Sequence, residues 1–398
     1  MNPTKALSRI EYIILMSAIV AVDALAIDSI LPALAFMSDY FGLRNDNDRQ
    51  LIVTSIFVGY AVGVMIFGVA SDSFGRKRPI YVGFALFLVG TLVTIFATDF
   101  TMLLIGRVLQ GMGAAGPQII PTAITRDIYK GRGMAEIMSL IMMVFLIIPA
   151  VAPLMGQLVL MVWNWQGIFV VLGIYSLFAL AWFALRQPET LPPASRVPFS
   201  FKQVMLSVRE VLKNNRAMKY TLSEGLAFGA ILAYLSTAQQ VFQEHFELGE
   251  RFPLYFGALA LVMMVSSFLN ARLVEGLGMR RLLLSGSSVL FLGSALYLVF
   301  ILWHNASVPL WSFMVYAALV YFCLGILFGN MHSMAMEQVG HVAGVAASVV
   351  GCISTLIATV LAAFIGSFYN DTITPIVLGL AVLMLPIIYI AWRDEVTS

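Results

Sequence analysis

Gly68-Val-Ala-Ser-Asp72-Ser-Phe-Gly75-Arg76-Lys77-Arg78-Pro79-Ile80 is the stretch from which the rest of the chain can be read. It lies between two apolar runs, 51–70 and 79–97. Each is close to the ~20 residues with which a helix crosses hydrocarbon. Gly68 carries no side chain and lets two helices approach closely. Gly75 permits a tight turn. Asp72 and Arg76 stand one helical turn apart, where opposite charges can meet, and Lys77 and Arg78 follow at once. A short, basic connection of this kind joins two membrane helices on the side where Lys and Arg collect.

Outward from this loop, the chain divides into twelve apolar runs: 11–36, 51–70, 79–97, 101–124, 135–161, 166–185, 219–241, 252–274, 282–302, 309–334, 342–369 and 373–392. Charged or Gly/Pro-bearing breaks separate them, such as 44–48, 129–133 and 186–190. Composition agrees: of 398 residues 60% are hydrophobic and 11% charged, against about 25% charged in soluble domains. So little charge could not clothe a soluble protein of this size, so the medium around most of the chain is lipid. Unbroken runs of this length exclude a transmembrane β-barrel, whose strands alternate. A net charge of +2 gives no basic surface for nucleic acid. The two cysteines lie within apolar runs, which excludes a disulfide scaffold, and the four histidines have no metal-ligand spacing. The first run is too long for a cleaved signal and holds two aspartates.

With the N-terminus inside, all but four of the 23 basic residues are cytoplasmic. Arg44, Arg49 and Arg251 face out, and Arg107 lies within a run. Both termini are then expected in the cytoplasm of a multi-pass inner-membrane protein. The expected division is a six-helix bundle over 1–185, a linker over 186–218 and a second six-helix bundle over 219–398. The linker is expected to carry one amphipathic helix on the inner leaflet. Asp72-x-x-Gly75-Arg76-Lys77 has a weak echo in Glu275-x-x-Gly278-Met279-Arg280-Arg281. That echo suggests two bundles related by an axis along the membrane normal.

The Gly-x-x-x-Asp-x-x-Gly-Arg-Lys spacing at Gly68–Lys77 resembles the loop signature of the major facilitator superfamily. Arg107-x-x-Gln110-Gly111 in the fourth run is similar to the fourth-helix signature of its proton-linked members. IIPAVAPLMGQ (147–157) in the fifth run, with Pro149, Pro153 and Gly156, resembles the antiporter signature of the drug-exporting branch. AIDSILPAL (26–34) and AMEQVGHVAGVAASVVG (335–351) look like the bicyclomycin-resistance branch of drug:proton antiporters. The resemblance spans the whole chain. It implies an all-α integral membrane protein with the major facilitator fold, twelve helices in two pseudo-symmetric six-helix bundles. It also implies a gating role for Gly68, Asp72, Gly75, Arg76 and Lys77. The sequence departs from the branch at Val64, Ser73 and Asn164, and at Gln239-Gln240, where Ser-Pro is usual. Gly111-Met-Gly-Ala-Ala-Gly116 also fits a dinucleotide-binding pattern, but that fingerprint needs a strand before it, and small residues packing helices account for it.

Few ionisable residues lie at depth: Asp23, Asp28, Arg107 and Glu224. A charge at the bilayer centre costs about 2.5–3.5 kcal/mol on insertion scales, so each needs a partner or a watery cavity. At ~1.5 Å per residue, Asp28 lies ~12 Å and Asp23 ~20 Å from the outer end, and Arg107 ~9 Å. That count places Asp28 level with Arg107 and makes Asp28, Arg107 and Asp23 the candidates for proton coupling. Pro32 frees the carbonyl of Asp28 and can kink the helix there. Tyr60, Gln110, Met143, Glu224, Phe228, Tyr234 and Tyr321 are candidates for lining an adaptable substrate cavity.

The expected function is export of small amphipathic, drug-like or metabolite molecules by alternating access in exchange for protons. Dedicated export of one metabolite, such as a siderophore or amino acid, and proton-linked import of a small organic solute are the alternatives. No catalytic residue, metal or cofactor is expected, since the proton gradient supplies the energy. The expected partners are the lipid bilayer, protons and the substrate, with the protein a monomer that binds no nucleic acid.

Overall fold

The computed structural model describes residues 7–396 apart from 338, 340 and 341. Within the motif 335–351, Gln338, Gly340 and His341 therefore lie outside the described residues. Helices are the only extended elements among the described residues, as a chain in lipid requires, since each backbone amide must bond within its own segment. They are α1 (Arg9–Asp28), α2 (Leu34–Phe41), α3 (Gln50–Phe74), α4 (Lys77–Ile95), α5 (Phe100–Ile128), α6 (Gly131–Val162) and α7 (Trp165–Arg186). After them come α8 (Phe201–Lys213), α9 (Asn215–Gln239), α10 (Phe252–Leu277), α11 (Met279–Trp303), α12 (Leu310–Met336), α13 (Ala343–Ser367) and α14 (Thr374–Val396).

Among the described residues, eleven stretches are long and apolar enough to cross a membrane. The twelfth, α5, has 29 residues but carries Arg107, Gln110, Gln118, Arg126 and Asp127 among its glycines and prolines, which lowers its hydropathy. The first span is two helices. α1 stops at Asp28, a 3-10 turn runs over Leu31–Ala33, and α2 resumes at Leu34. Pro32 is the cause, because it cannot donate to the ladder. Ser29 instead caps α1, its N–H and its hydroxyl both donating to the Leu25 carbonyl.

The chain groups into two compact units. One comprises Met1–Ala33 and Ser55–Met205, the other Leu34–Thr54 and Leu206–Ser398. The segment after the break in the first span thus belongs with the second half of the sequence. In the first unit, α5 is held on both sides by glycine contacts. A Cβ on Gly90 of α4 would lie 2.5 Å from the Gln110 amide, and one on Gly111 would lie 2.7 Å from the Ile56 carbonyl carbon of α3. Close backbone approach replaces the hydrophobic effect as the adhesive where the solvent is itself apolar. The glycine-rich run of α5 is therefore a packing surface. In the second unit, α11 and α12 are tied by bonds between Ser294 and Tyr316 (2.9 Å) and between Tyr297 and Ser312 (3.2 Å), with Tyr297 stacked on Tyr316 at 4.5 Å.

Candidate functional site

The deepest charges are in the first unit. Arg107 is wholly buried (0% exposed), and Asp23 (8%) and Asp28 (5%) are nearly so. The Arg107 guanidinium donates through Nη1 to the Ala26 carbonyl (3.0 Å) and to Gln110 Oε1 (2.9 Å), and it lies over the Phe169 ring. Gln110 passes the chain on to Thr91 Oγ1 at 2.9 Å. Depth counting pairs Arg107 with Asp28; Asp23 also lies close enough to Arg107, and to Asp28, for their charges to act on one another. Tyr60 joins the same group, bonded to Gln118 Oε1 (3.1 Å) and coupled to Asp23. Asp23 Oδ1 has no hydrogen-bond partner among the described residues.

α6 closes over this centre. It runs through Pro149 and Pro153 as one continuous helix, and Gly156 meets the break in the first span. A Cβ there would fall on the Ser29 carbonyl oxygen, 2.9 Å from the carbonyl carbon. The antiporter-like glycine therefore touches the residue beside Asp28. Met143, on the same helix, is exposed.

The charged loop forms a second centre in this unit. Arg76 is buried and holds three groups at once: Asp72 Oδ1 (2.7 Å) and Ser71 Oγ (2.7 Å) through Nη1, and both oxygens of Asp127, through Nε (2.8 Å) and Nη2 (3.2 Å). Burial pulls the Arg76 guanidinium down, but Asp127 and Asp72 outweigh it and hold it above the usual arginine value. Glu189 closes the loop from the linker. It accepts from the backbone N–H groups of Arg76 (2.9 Å), Lys77 (3.1 Å), Thr190 and Leu191 (both 3.0 Å), so it caps the start of α4. Partial burial pushes its carboxyl up, yet those four donors prevail and hold it below the usual carboxylate range. Gly75 has φ +89°, and a Cβ on it would lie 2.7 Å from Glu189 Oε2. Thr190 Oγ1 donates to Asp127 (2.9 Å), Lys77 Nζ to the Ala184 carbonyl (3.2 Å), and Val197 N–H to the Asp72 carbonyl (3.1 Å). Gly68, one turn before Asp72, is half-buried in α3.

Sequence reading found Asp72, Arg76 and Gly75 but missed Asp127 and Glu189. Asp127 offered one signal, an acid directly after Arg126 at the inner end of a span. Glu189 offered none, being one acid in a Pro-bearing break.

In the second unit, Arg49 is buried and pairs with Glu244 through both guanidinium nitrogens (Nη1 2.5 Å, Nη2 2.9 Å), and its Nη1 also donates to Gln239 Oε1 (3.0 Å). Gln50 Nε2 donates to Gln240 Oε1 (2.7 Å), and Asn47 Nδ2 to the Tyr369 carbonyl (2.9 Å). Gln239 and Gln240, where the sequence departs from the branch it resembles, are thus the glutamines of this cluster. Gln239 ends α9, and Gln240 opens the π-helical turn Gln240–His245 that follows it. Farther down the same helix, Tyr234 and Tyr321 are buried and in edge contact at 5.4 Å, Phe228 meets Phe328 at 6.0 Å, and Glu224 Oε1 faces His332 Nδ1 at 3.2 Å. Among the described residues no group of His, Cys, Asp and Glu could hold a metal ion.

The chain matches the family model described as Major Facilitator Superfamily over residues 16–364. It is 30% identical over 318 residues to the multidrug resistance protein MdtL of Escherichia fergusonii, spanning 77% of this chain and 76% of that one. It is 26% identical over 374 residues to the bicyclomycin resistance protein homolog of Haemophilus influenzae, spanning 90% and 92%. Among solved structures it resembles a D-xylose-proton symporter, with a TM-score of 0.73 over 97% of this chain and 98% of that one at 11% identity. That last likeness speaks for the fold alone.

Proposed function

The chain belongs to the Major Facilitator Superfamily, and on that premise we propose that it is a drug:proton antiporter exporting small amphipathic molecules. It is a multi-pass membrane transporter and not an enzyme. Proton antiport, a bacterial inner-membrane location with both termini cytoplasmic, a monomeric state and independence of any cofactor complete the proposal. So does the division into bundles over 1–185 and 219–398, joined by a linker whose α8 lies on the inner leaflet.

One observation carries the reading: two buried acids and a buried arginine meet where the first span breaks, and α6 seats Gly156 on that break. A buried carboxylate is tolerable when it holds a proton or faces a cation, and costly otherwise. Arg107 can neutralise Asp23 in one state, and a proton can do so in another. Because both acids lie on α1 ahead of a break held by short caps rather than a continuous ladder, a shift of α1 alters which state is favoured. Asp23, Asp28 and Arg107 are assigned to proton coupling and the Asp72–Arg76–Glu189 loop to gating. Pro149, Pro153 and Gly156 shape the helix that bears on the break, and Tyr60 and Gln110 line the approach. The names of the relatives, a multidrug and a bicyclomycin resistance protein, support export of drug-like molecules.

The test is proton release from detergent-purified protein on adding a transported dye. Wild type should release protons. Asp23→Asn should abolish release, because it removes the acid coupled to Arg107, and Asp28→Asn should reduce it. Unchanged release in both variants would remove the coupling assignment. Dye movement in everted vesicles that ignores the proton gradient would remove antiport itself.

A further inference from the structure

α8 carries three basic residues, Lys202, Arg209 and Lys213, and one acid, Glu210. At about 3.6 residues per turn, Arg209 and Lys213 each fall within about 20° of the line through Lys202. All three are exposed. Glu210 stands about 80° to one side of that line. On the other side lie Phe201, Met205 and Leu212, within about 40° of one another, and they are exposed as well. Val211, on the face opposite Lys202, is wholly buried. The helix therefore rests on the protein through one face and turns outward a basic stripe with an apolar stripe beside it.

Each end of α8 is tied to the inner end of a span within its own unit. Ahead of it, the Val197 N–H donates to the Asp72 carbonyl (3.1 Å), and Phe199 stacks on Phe74 at 6.2 Å. At its far end Asn214 alone separates it from α9, and Asn214 Oδ1 accepts from the Ala217 N–H (3.0 Å). These ties hold α8 where spans meet the cytoplasm.

We propose that this outward face docks on anionic phospholipid of the cytoplasmic leaflet. The inference rests on the inner-leaflet placement of α8 given above and adds the class of lipid it takes. Phe201, Met205 and Leu212 enter the boundary between headgroups and acyl chains. The stems of the Lys and Arg side chains lie along them and carry the charges out to the phosphates. Charge complementarity decides the class, because the apolar stripe alone would sit equally well in a zwitterionic leaflet. Arg209 and Lys213, one turn apart, repel one another in isolation, and a negative surface turns that repulsion into attraction. Each basic side chain near such a surface strengthens its hold by about fivefold.

The experiment uses the full-length protein in nanodiscs of phosphatidylcholine alone and of phosphatidylcholine with phosphatidylglycerol in equal parts. Chymotrypsin reports on the linker through cuts at Phe199 and Phe201. Wild type should be cut about tenfold or more slowly in the anionic discs, and the difference should shrink as salt rises. A K202Q/R209Q/K213Q variant should be cut at one rate in both discs, with a thermal midpoint equal to that of wild type because the three residues are exposed. K202R/R209K/K213R keeps the charge and should keep the dependence on lipid, which separates loss of charge from loss of fold. Equal protection of wild type in both discs would overturn the lipid class and leave α8 on the leaflet. Rapid cutting in both, as in detergent, would overturn that placement as well. A lipid dependence that survives in the glutamine variant would overturn the assignment to the basic stripe. None of these outcomes alters the proton-release test of export.

Discussion

Gly156→Ala adds a single methyl group at the point where α6 touches the first span. In the structure that methyl would fall on the carbonyl oxygen of Ser29 and lie 2.9 Å from its carbon. Ordinary contact begins at about 3.4 Å, so the carbon alone must retreat by roughly 0.5 Å and the oxygen by more. The neighbour is backbone, and it cannot swing aside as a side chain would. It is also the cap of α1, held to the Leu25 carbonyl by both its amide and its hydroxyl, and it adjoins Asp28. Overpacking of this kind costs about 1–3 kcal/mol, and here it falls on the residues assigned to proton coupling. The expected result is a lower thermal midpoint in detergent together with at least a tenfold loss of proton-driven dye export. Gly173→Ala is the matched control in the same unit. Its Cβ would meet only Thr91 Cγ2, at 3.7 Å, and it should be silent in both assays. Normal stability and export in Gly156→Ala, or an equal cost in Gly173→Ala, would refute the reasoning.

Three further outcomes are expected. Asp127→Asn removes the charge that Arg76 grips with two nitrogens and should slow export more than Asp72→Asn, which removes a single contact; equal effects would show that geometry at Arg76 does not matter. Glu189 is held below the usual carboxylate range, so the stability it confers is present above that range and is lost as pH falls through the lowered value. Proteolytic cutting of the linker should accordingly rise on acidification in wild type, and Glu189→Gln should be cut readily at neutral pH with little further change; a variant as resistant as wild type would remove Glu189 from the cap. Arg49→Gln and Glu244→Gln should each destabilise the protein, because each leaves a charge stranded in a partly buried cluster, and the double variant should cost less than the sum of the two; additive melting shifts would mean that the pair contributes no coupling.

What could be read from the sequence was what local chemistry encodes. Run length and charge placement located the spans, including α5, whose small residues mark it as a packed membrane helix despite its low hydropathy. Pro32 announced a kink at Asp28, and Asp72 with Arg76 announced an ion pair within one turn. The partners that complete these sites come from far along the chain. Asp127 is 51 residues and Glu189 113 residues from Arg76, and no periodicity links them. Arg107 was placed near the level of the two acids, but rise per residue fixes only the backbone and says nothing of which acid a long side chain turns toward. The Glu224–His332 contact depends on the register of two helices, which a single sequence does not state.

Glu189 also bears on the order in which the chain can be assembled. The first turn of α4 is capped by a residue that leaves the ribosome more than a hundred positions after the turn itself. Until the linker emerges, the amides of Arg76 and Lys77 lack that acceptor, and Arg76 has Asp72 and Asp127 but not the lid above them. The first unit is therefore completed only once all of its spans are inserted and the chain has folded back over the loop. Synthesis of the second half begins as the first is being fastened, so a truncation just before residue 187 would insert six spans and still leave the loop open.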